Sequence, residues 1–164
     1  MSAATTVAAQ SRGSTSASRL VGTWALTVTL RDCATNAAMG APFNSLATIN
    51  SDGTSIGSTA SLAFAAGQRS LEHGSWFHQG GHRYSESVVA LIVFDSAANL
   101  PGTPEFDPTL PVRPGLYAGW QTITHTLVLQ DANHYTAAGT TQFYSADGSV
   151  YRRGCSSSVG ERFE

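Results

Sequence analysis

The sequence contains no lysine, and only 12% of its residues are charged. Average domains carry about 25% charged residues, and nucleic-acid-binding proteins cluster Lys and Arg to displace counterions from phosphates. Nine arginines without a basic cluster and a formal net charge of -2 therefore exclude nucleic acid as the expected partner. The missing lysine also excludes Schiff-base chemistry and the phosphate-binding lysine of P-loops.

Long apolar segments are also missing. No run of about 18 apolar residues occurs, so the sequence predicts no membrane span. Residues 1–19 are small and polar and lack the apolar core of a signal peptide, so we interpret them as a flexible tail. A tail that follows a removed signal peptide would have the same composition. Residues 20–164 are expected to form one domain, since the length fits a single hydrophobic core.

The sequence has only two cysteines, Cys33 and Cys155, and no C-x-x-C motif. Two thiols are too few for a structural zinc site. They are either two separate buried thiols or one disulfide, and a disulfide would indicate an oxidising compartment. A secreted or periplasmic location is favoured if the disulfide forms, and a cytoplasmic one otherwise.

Thr, Ser, Ala and Gly take the place of the missing charged residues, a composition typical of strands and turns rather than helices. Apolar and polar residues alternate from Trp24 to Leu30, which predicts a strand with one apolar face. Turn signals such as Ser51-Asp52-Gly53 and Gly80-Gly81 separate further runs of this kind. Eight strands are predicted, at 23–30, 43–50, 54–62, 73–78, 82–95, 117–130, 135–144 and 150–156, with the tail at 156–164 either continuing the last strand or folding over an end.

Five of the six prolines fall in residues 96–115, which predicts a long Pro-rich connection between the fifth and sixth strands, either a functional loop or a rigid surface loop. The other connections are short. Eight antiparallel strands in this order close into an up-and-down barrel with room for one small ligand, while a β-sandwich is the competing all-β architecture. Closure sets the eighth strand beside the first, which brings Cys33 and Cys155 together and favours the disulfide.

The segment Gly22-Thr23-Trp24 at the start of the first strand resembles the Gly-x-Trp signature of lipocalins and the wider calycin group. The resemblance implies a lipocalin-like barrel in which Trp24 closes one end and an arginine from near the last strand packs over it. Arg152, Arg153 and Arg162 are the candidates for that arginine. Similar barrels include bacterial cyclases of polyketide and terpenoid pathways, allene-oxide-cyclase-like enzymes and nitrobindin-like haem barrels.

Two of the central strands carry titratable residues. Gln121 and His125 share a face of the sixth strand with leucines, which predicts that both point into the lumen. Glu86 lies in the fifth strand, and either face of that strand is a candidate for the interior. A buried histidine beside a carboxylate acts as an acid or base near neutral pH, whereas a core histidine with an ordinary hydrogen bond is the alternative. The candidate catalytic residues are His125, Glu86 and Tyr84.

Aromatic residues and polar donors also cluster in and after the fourth strand. Aromatic walls with a few polar groups suit an apolar ligand that carries one or two oxygens, although plain core packing is the favoured explanation for each single aromatic residue. The five histidines show no H-x-H or H-E-x-x-H pattern, so we expect no metal site and no cofactor, although a haem iron needs only one histidine. The candidate ligand-binding residues are Trp76, His78, Gln121, Tyr117 and Tyr144.

Three functions fit this pattern. The first is the binding of a small apolar or amphipathic molecule in the barrel lumen. The second is a cofactor-independent cyclase or isomerase that holds a hydrophobic, natural-product-like substrate in a reactive conformation. The third is a structural barrel with a filled lumen. A cavity large enough for a ligand would exclude the third, and the oligomeric state is left open, with a homodimer as one alternative.

Overall fold

The computed structural model describes residues 17–64, 67–93 and 118–163. Its strands form one closed antiparallel barrel in which each strand pairs with its neighbours in sequence and β1 also pairs with β8. This closure confirms the all-β, up-and-down, eight-stranded barrel and rules out the β-sandwich. The strands are β1 (Gly22–Arg31), β2 (Phe43–Ile49), β3 (Thr54–Thr59), β4 (Arg69–Gly80), β5 (Arg83–Val93), β6 (Ala118–Leu129), β7 (His134–Tyr144) and β8 (Val150–Arg162).

Two strands extend beyond their predicted bounds by more than one residue at an end. β4 begins at Arg69, and its pairing with β5 is irregular between Arg69 and Glu72, so the alternation of faces changes there. The Ser70 hydroxyl accepts a hydrogen bond from the Leu91 amide at this irregularity. β8 runs on to Arg162, so the final segment continues the strand, because β1 and β7 flank it almost to its end.

The predicted tight turns are confirmed by backbone geometry. Gly53 has a φ of 88°, and Gly80 and Gly81 have φ values of 106° and 58°, all in the region that favours glycine. Asp52 supports the first turn by accepting hydrogen bonds from the hydroxyl and the amide of Thr54. Those hydrogen bonds, the hydroxyl first, lower the pKa of Asp52.

One end of the barrel is closed around Trp24, which has no exposed surface. Its Nε1 donates to the Leu20 carbonyl over 2.9 Å, and Tyr135 packs edge-on with ring centroids 4.8 Å apart. The guanidinium of Arg162 lies over the Trp24 ring, with Cζ 4.2 Å from the centroid. Arg162 is therefore the arginine that the Gly-x-Trp resemblance implied. Gly22 is needed beside it, because φ is 142° and a Cβ there would overlap the guanidinium.

Arg162 also ties the closed end together through its hydrogen bonds. It donates to three backbone carbonyl oxygens, those of Arg19, Val21 and Ala132, at 2.8 to 2.9 Å. These acceptors lie before β1 and in the turn between β6 and β7. One side chain therefore links the segment before β1 to the turn between β6 and β7 at the closed end.

The opposite end carries a covalent link. Cys33 and Cys155 form a disulfide with their Cα atoms 5.3 Å apart and a sequence separation of 122. Cys155 lies on β8 opposite Arg31 of β1, and Cys33 lies just beyond β1. Barrel closure thus brings the two thiols together, as the strand order predicted.

The two predicted irregular segments lie mainly outside the described residues. Residues 1–16 of the N-terminal tail and the Pro-rich loop at 96–115 are among them. The described chain begins with a short 3-10 helix, Ala17–Leu20, which packs Leu20 against the closed end. Among the described residues there is no helix long and apolar enough to cross a membrane.

Candidate ligand-binding cavity

A cavity of about 390 Å³ occupies the barrel between the closed end and the disulfide. Leu127 and Tyr135 lie at its inner end, and the exposed side chains of Met39, Arg152 and Arg153 lie at its opening. Its volume falls within the range of about 300–1,000 Å³ that is usual for small-molecule sites. The lumen is therefore not filled along its whole length. The apolar walls include Leu26, Val28, Leu30, Phe43, Ala47, Phe64, Ile123 and Phe143.

The alternation of side chains decides which polar groups face this cavity. On β6, Gln121 and Leu127 are buried, so the predicted inward face is confirmed. On β5, the face that carries Tyr84 and Glu86 is buried while Val89 and Leu91 on the other face are exposed. The choice that the sequence left open is thus resolved in favour of an inward Glu86.

Glu86 and His125 are register partners on β5 and β6 and form a pair inside the barrel. His125 Nδ1 lies 3.3 Å from Glu86 Oε2, and the side chains are 21% and 8% exposed. Both line the cavity. On the next strand, Gly139 lies opposite His125, and a Cβ at this position would overlap the imidazole ring. The absence of a side chain at Gly139 therefore leaves the space that the imidazole ring of His125 occupies.

A second set of polar side chains forms a hydrogen-bonded network on the cavity wall. Arg69 Nη2 donates to Glu72 Oε2 over 2.5 Å, and Arg69 Nε donates to Gln121 Oε1 over 2.7 Å. Gln121 Nε2 in turn donates to the Thr141 hydroxyl over 2.9 Å. Arg69 on β4 reaches Gln121 on β6 across β5, where the intervening inward residue is the small Ala90. The network therefore spans four neighbouring strands.

Tyr135 lies at the boundary between the cavity and the packed closed end. Its ring is 2% exposed and packs on Trp24, yet it also lines the cavity. Burial, and to a smaller extent the carboxylates of Glu86 and Glu72, raise the pKa of Tyr135 far above its usual value. The phenol is therefore neutral at ordinary pH.

The other candidate residues lie elsewhere. Trp76, His78 and Tyr84 pack against one another on the side of the barrel nearer the closed end and do not line the cavity. Trp76 Nε1 donates to the Asn50 carbonyl, which fixes it there. Tyr144 points outward and stacks on Trp120 with ring centroids 5.0 Å apart. Tyr117 lies outside the described residues.

Three residues of the hydrogen-bonded network around Gln121 are missing from the candidate list: Arg69, Glu72 and Thr141. Glu72 continues the even-numbered inward face of Gly74 and Trp76, and extending that alternation backward along β4 would have found it. Arg69 is out of phase with this face because of the irregularity in β4, so no periodic signal marks it. Thr141 shares its face with Tyr135 and Phe143 and looks like any strand threonine.

Over the described ranges, no cluster of three or more His, Cys, Asp or Glu side chains is arranged to hold a metal ion. The cavity wall instead carries the Glu86–His125 pair and the hydrogen bonds that join Arg69, Glu72, Gln121 and Thr141. This arrangement suits hydrogen bonding or proton transfer to an organic molecule.

No protein-family model, curated protein or solved structure matches this chain. The class of protein is thus defined by the fold and the site alone. It is a closed eight-stranded antiparallel barrel, consistent with a lipocalin-like fold, with a ligand-sized cavity open at one end.

Proposed function

We propose that the barrel binds a small apolar or amphipathic molecule in its lumen. The observation that carries this proposal is the cavity of about 390 Å³, which the packing of the closed end leaves unfilled. Such a volume between packed strands is costly in lost contacts unless something occupies it. A bound molecule would restore those contacts.

The lining favours an amphipathic ligand over a wholly apolar one. Aliphatic and aromatic side chains from β1, β2, β6 and β7 form an apolar part of the wall. The Glu86–His125 pair and the Arg69 network form a polar side on β4 to β6. Burying polar groups against a hydrocarbon leaves their hydrogen-bonding capacity unused, so a ligand with one or two polar atoms fits better.

A pair of substitutions on neighbouring residues of β2 tests the site. Ala47 lines the cavity, whereas Leu46 points outward and is 48% exposed. Ala47→Trp should fill part of the cavity and weaken binding of the neutral fluorescent probe N-phenyl-1-naphthylamine by at least about ten-fold, because a filled pocket must be distorted to admit it. Leu46→Trp should leave the affinity within about two-fold, since it adds no interior volume.

Native mass spectrometry before and after denaturation, without reductant, identifies the class of any molecule that the protein carries. Wild-type protein that binds no probe and releases no small molecule would contradict the proposal. Equal weakening of probe affinity in Ala47→Trp and Leu46→Trp would also contradict it, because binding would then not be in the lumen.

A second candidate function is a cyclase or isomerase reaction in the same cavity. It is favoured by the Glu86–His125 pair, because a histidine held 3.3 Å from a buried carboxylate suits proton transfer. In this scheme the lumen holds a flexible apolar substrate in a reactive conformer. The pair removes a proton beside a carbonyl and returns it at another carbon.

Hydrogen exchange tests the enzyme alternative without knowledge of the substrate. The methyl protons of 2-acetylnaphthalene, a compact ketone, are followed by NMR in deuterated water. Wild-type protein should speed the exchange over buffer, and Glu86→Gln or His125→Gln should reduce the acceleration by about 100-fold. Acceleration that both variants retain would exclude the pair as the base.

We also propose that the protein works outside the cytoplasm. The support is the disulfide between Cys33 and Cys155, since structural disulfides persist in oxidising compartments. Thiol titration of protein isolated from its native source without reductant tests this. Two free thiols per chain would remove the argument for export.

A further inference from the structure

Arg69 has an unused hydrogen-bond donor on the cavity wall. The side chain is only 4% exposed, and Nη1 is buried with no hydrogen-bond partner among the described residues. A guanidinium nitrogen buried without an acceptor costs free energy, so such groups are rare unless a ligand or another molecule completes them. Arg69 lines the same cavity that we propose as the ligand site.

The neighbours of Arg69 bind its other two nitrogens and leave Nη1 without an acceptor among the described residues. Nε is bonded to Gln121 and Nη2 to Glu72. Gln121 is held in turn by Thr141, whose hydroxyl donates to the Thr122 carbonyl over 3.1 Å. This chain fixes the orientation of the guanidinium and leaves Nη1 as its remaining unpartnered nitrogen.

The charges around Arg69 decide what kind of acceptor fits. Glu72 already neutralises the guanidinium, and Glu86 places a second carboxylate on the same cavity wall. The other charged residues of the lining are Arg31 and Asp32, which are partly exposed, and Arg152 and Arg153, which are exposed to solvent. A ligand carboxylate would add a third negative charge to a low-dielectric interior. An uncharged oxygen adds none and still accepts the hydrogen bond.

We propose that Arg69 is a specificity-determining residue whose Nη1 binds an uncharged carbonyl oxygen of the ligand, as in a ketone, ester or amide. This inference rests on the proposed ligand-binding function and names the ligand class for it. Hydrogen bonds from charged donors are among the stronger ones in proteins. Arg69 thereby selects carbonyl compounds over hydrocarbons of the same shape.

Phe64 lies beside this donor. Its ring lies over the guanidinium, with the centroid 5.8 Å from Cζ, and it is only partly buried. We expect the ring to turn aside when a carbonyl reaches Nη1. Phe64→Ala should therefore keep the preference for carbonyl ligands, and loss of that preference in this variant would overturn the inference.

Three ligands of nearly equal shape test the proposal by titration calorimetry or equilibrium dialysis. They are 2-acetylnaphthalene, a ketone; 2-isopropenylnaphthalene, in which a CH₂ group replaces the oxygen; and 2-naphthoate, a carboxylate. Wild-type protein should bind the ketone at least about ten-fold more tightly than the alkene, because the alkene leaves Nη1 unpaired. The carboxylate should bind less tightly than the ketone.

Arg69→Met/Glu72→Leu removes the ion pair as a unit, which avoids leaving a buried carboxylate without its partner. In this variant the ketone and the alkene should bind with about equal affinity, and the alkene should still bind. Arg69→Lys is the second variant, because it keeps the charge beside Glu72 and lacks the guanidinium fork. It should also lose the preference, and its circular dichroism should match the wild type.

The outcomes separate the two proposals. Equal wild-type affinities for ketone and alkene, or tighter binding of the carboxylate, overturn the role of Arg69 and leave the lumen site standing. A preference that persists in both Arg69 variants also overturns that role. Absence of binding by all three compounds and by N-phenyl-1-naphthylamine overturns the lumen site and the role of Arg69 together.

Discussion

The two ends of the barrel are built from the same alternating strands but carry inward side chains of different size. On β7, Tyr135 fills the closed end, the small Ala137, Gly139 and Thr141 follow it along the cavity, and Phe143 is the next residue of the same inward face. On β1, the fully buried Trp24 is followed by aliphatic residues that line the cavity. The comparison teaches that the strand pattern sets the inward face, while side-chain volume along that face sets where the lumen is empty.

The two ends are also held by different means. The closed end relies on aromatic packing and on the backbone hydrogen bonds of Arg162. The open end has the disulfide in place of a packed core. A covalent link stabilises mainly by restricting the unfolded chain and needs no filled interior. It therefore leaves room for a ligand where packing would not.

Removing the disulfide should have the largest effect on stability. Cys33→Ser/Cys155→Ser is expected to lower the free energy of unfolding by about 4 to 5 kcal/mol on the loop-entropy model. Urea denaturation of oxidised wild type, reduced wild type and the double variant measures it. Identical curves for all three would show that the closed end alone holds the barrel.

Trp24→Ala should rank next and tests the closed end. We expect a loss of about 3–5 kcal/mol, because the cavity left behind removes contacts with Tyr135 and Arg162. The matched control is Trp120→Ala, since Trp120 is not part of the closed end and stacks on Tyr144. If urea denaturation showed an equal loss of unfolding free energy for both variants, the prediction that Trp24 holds the closed end together would be wrong.

Filling the space beside His125 should lower the free energy of unfolding by less than Trp24→Ala does. Gly139→Ala places a methyl group against the imidazole and should destabilise the protein by about 1–3 kcal/mol. In a His125→Ala background the same change should cost little, because the ring is gone. A double-mutant cycle from urea denaturation measures the coupling, and equal costs in both backgrounds would show that the strain lies in the backbone.

Tyr135 lies between the two ends and should give the smallest effect, visible only at high pH. Because burial raises its pKa in the folded state, unfolded chains ionise this phenol first as the pH rises above about 10. Its contribution is complete below that pH and is lost above it, by at most about 1.4 kcal/mol per pH unit.

The check on Tyr135 is thermal or urea unfolding between pH 8 and about 11. Tyr135→Phe cannot ionise, so its stability should fall less steeply than that of the wild type over this range. The same slope in both proteins would show that Tyr135 ionises equally in the folded and unfolded states.

Much of the barrel could be predicted from local pattern. Strand number, the Gly-containing turns and the inward face of β6 follow from alternation and from turn residues. The cavity was harder to predict. His125, Glu86 and Gln121 line it, but Trp76, His78 and Tyr84 belong to the packed end, because alternation reports the face of a strand and not the depth along the barrel axis.

The sequence by itself therefore determined an all-β chain of eight antiparallel strands, a Gly-x-Trp start and two cysteines that closure brings together. Only the tertiary structure decided which end is filled, and it placed Arg69 on β4 within reach of Gln121 on β6 across the small Ala90. The physical reason is that strand register in a closed barrel sets which residues share a level. That register depends on all eight strands at once and not on any one segment.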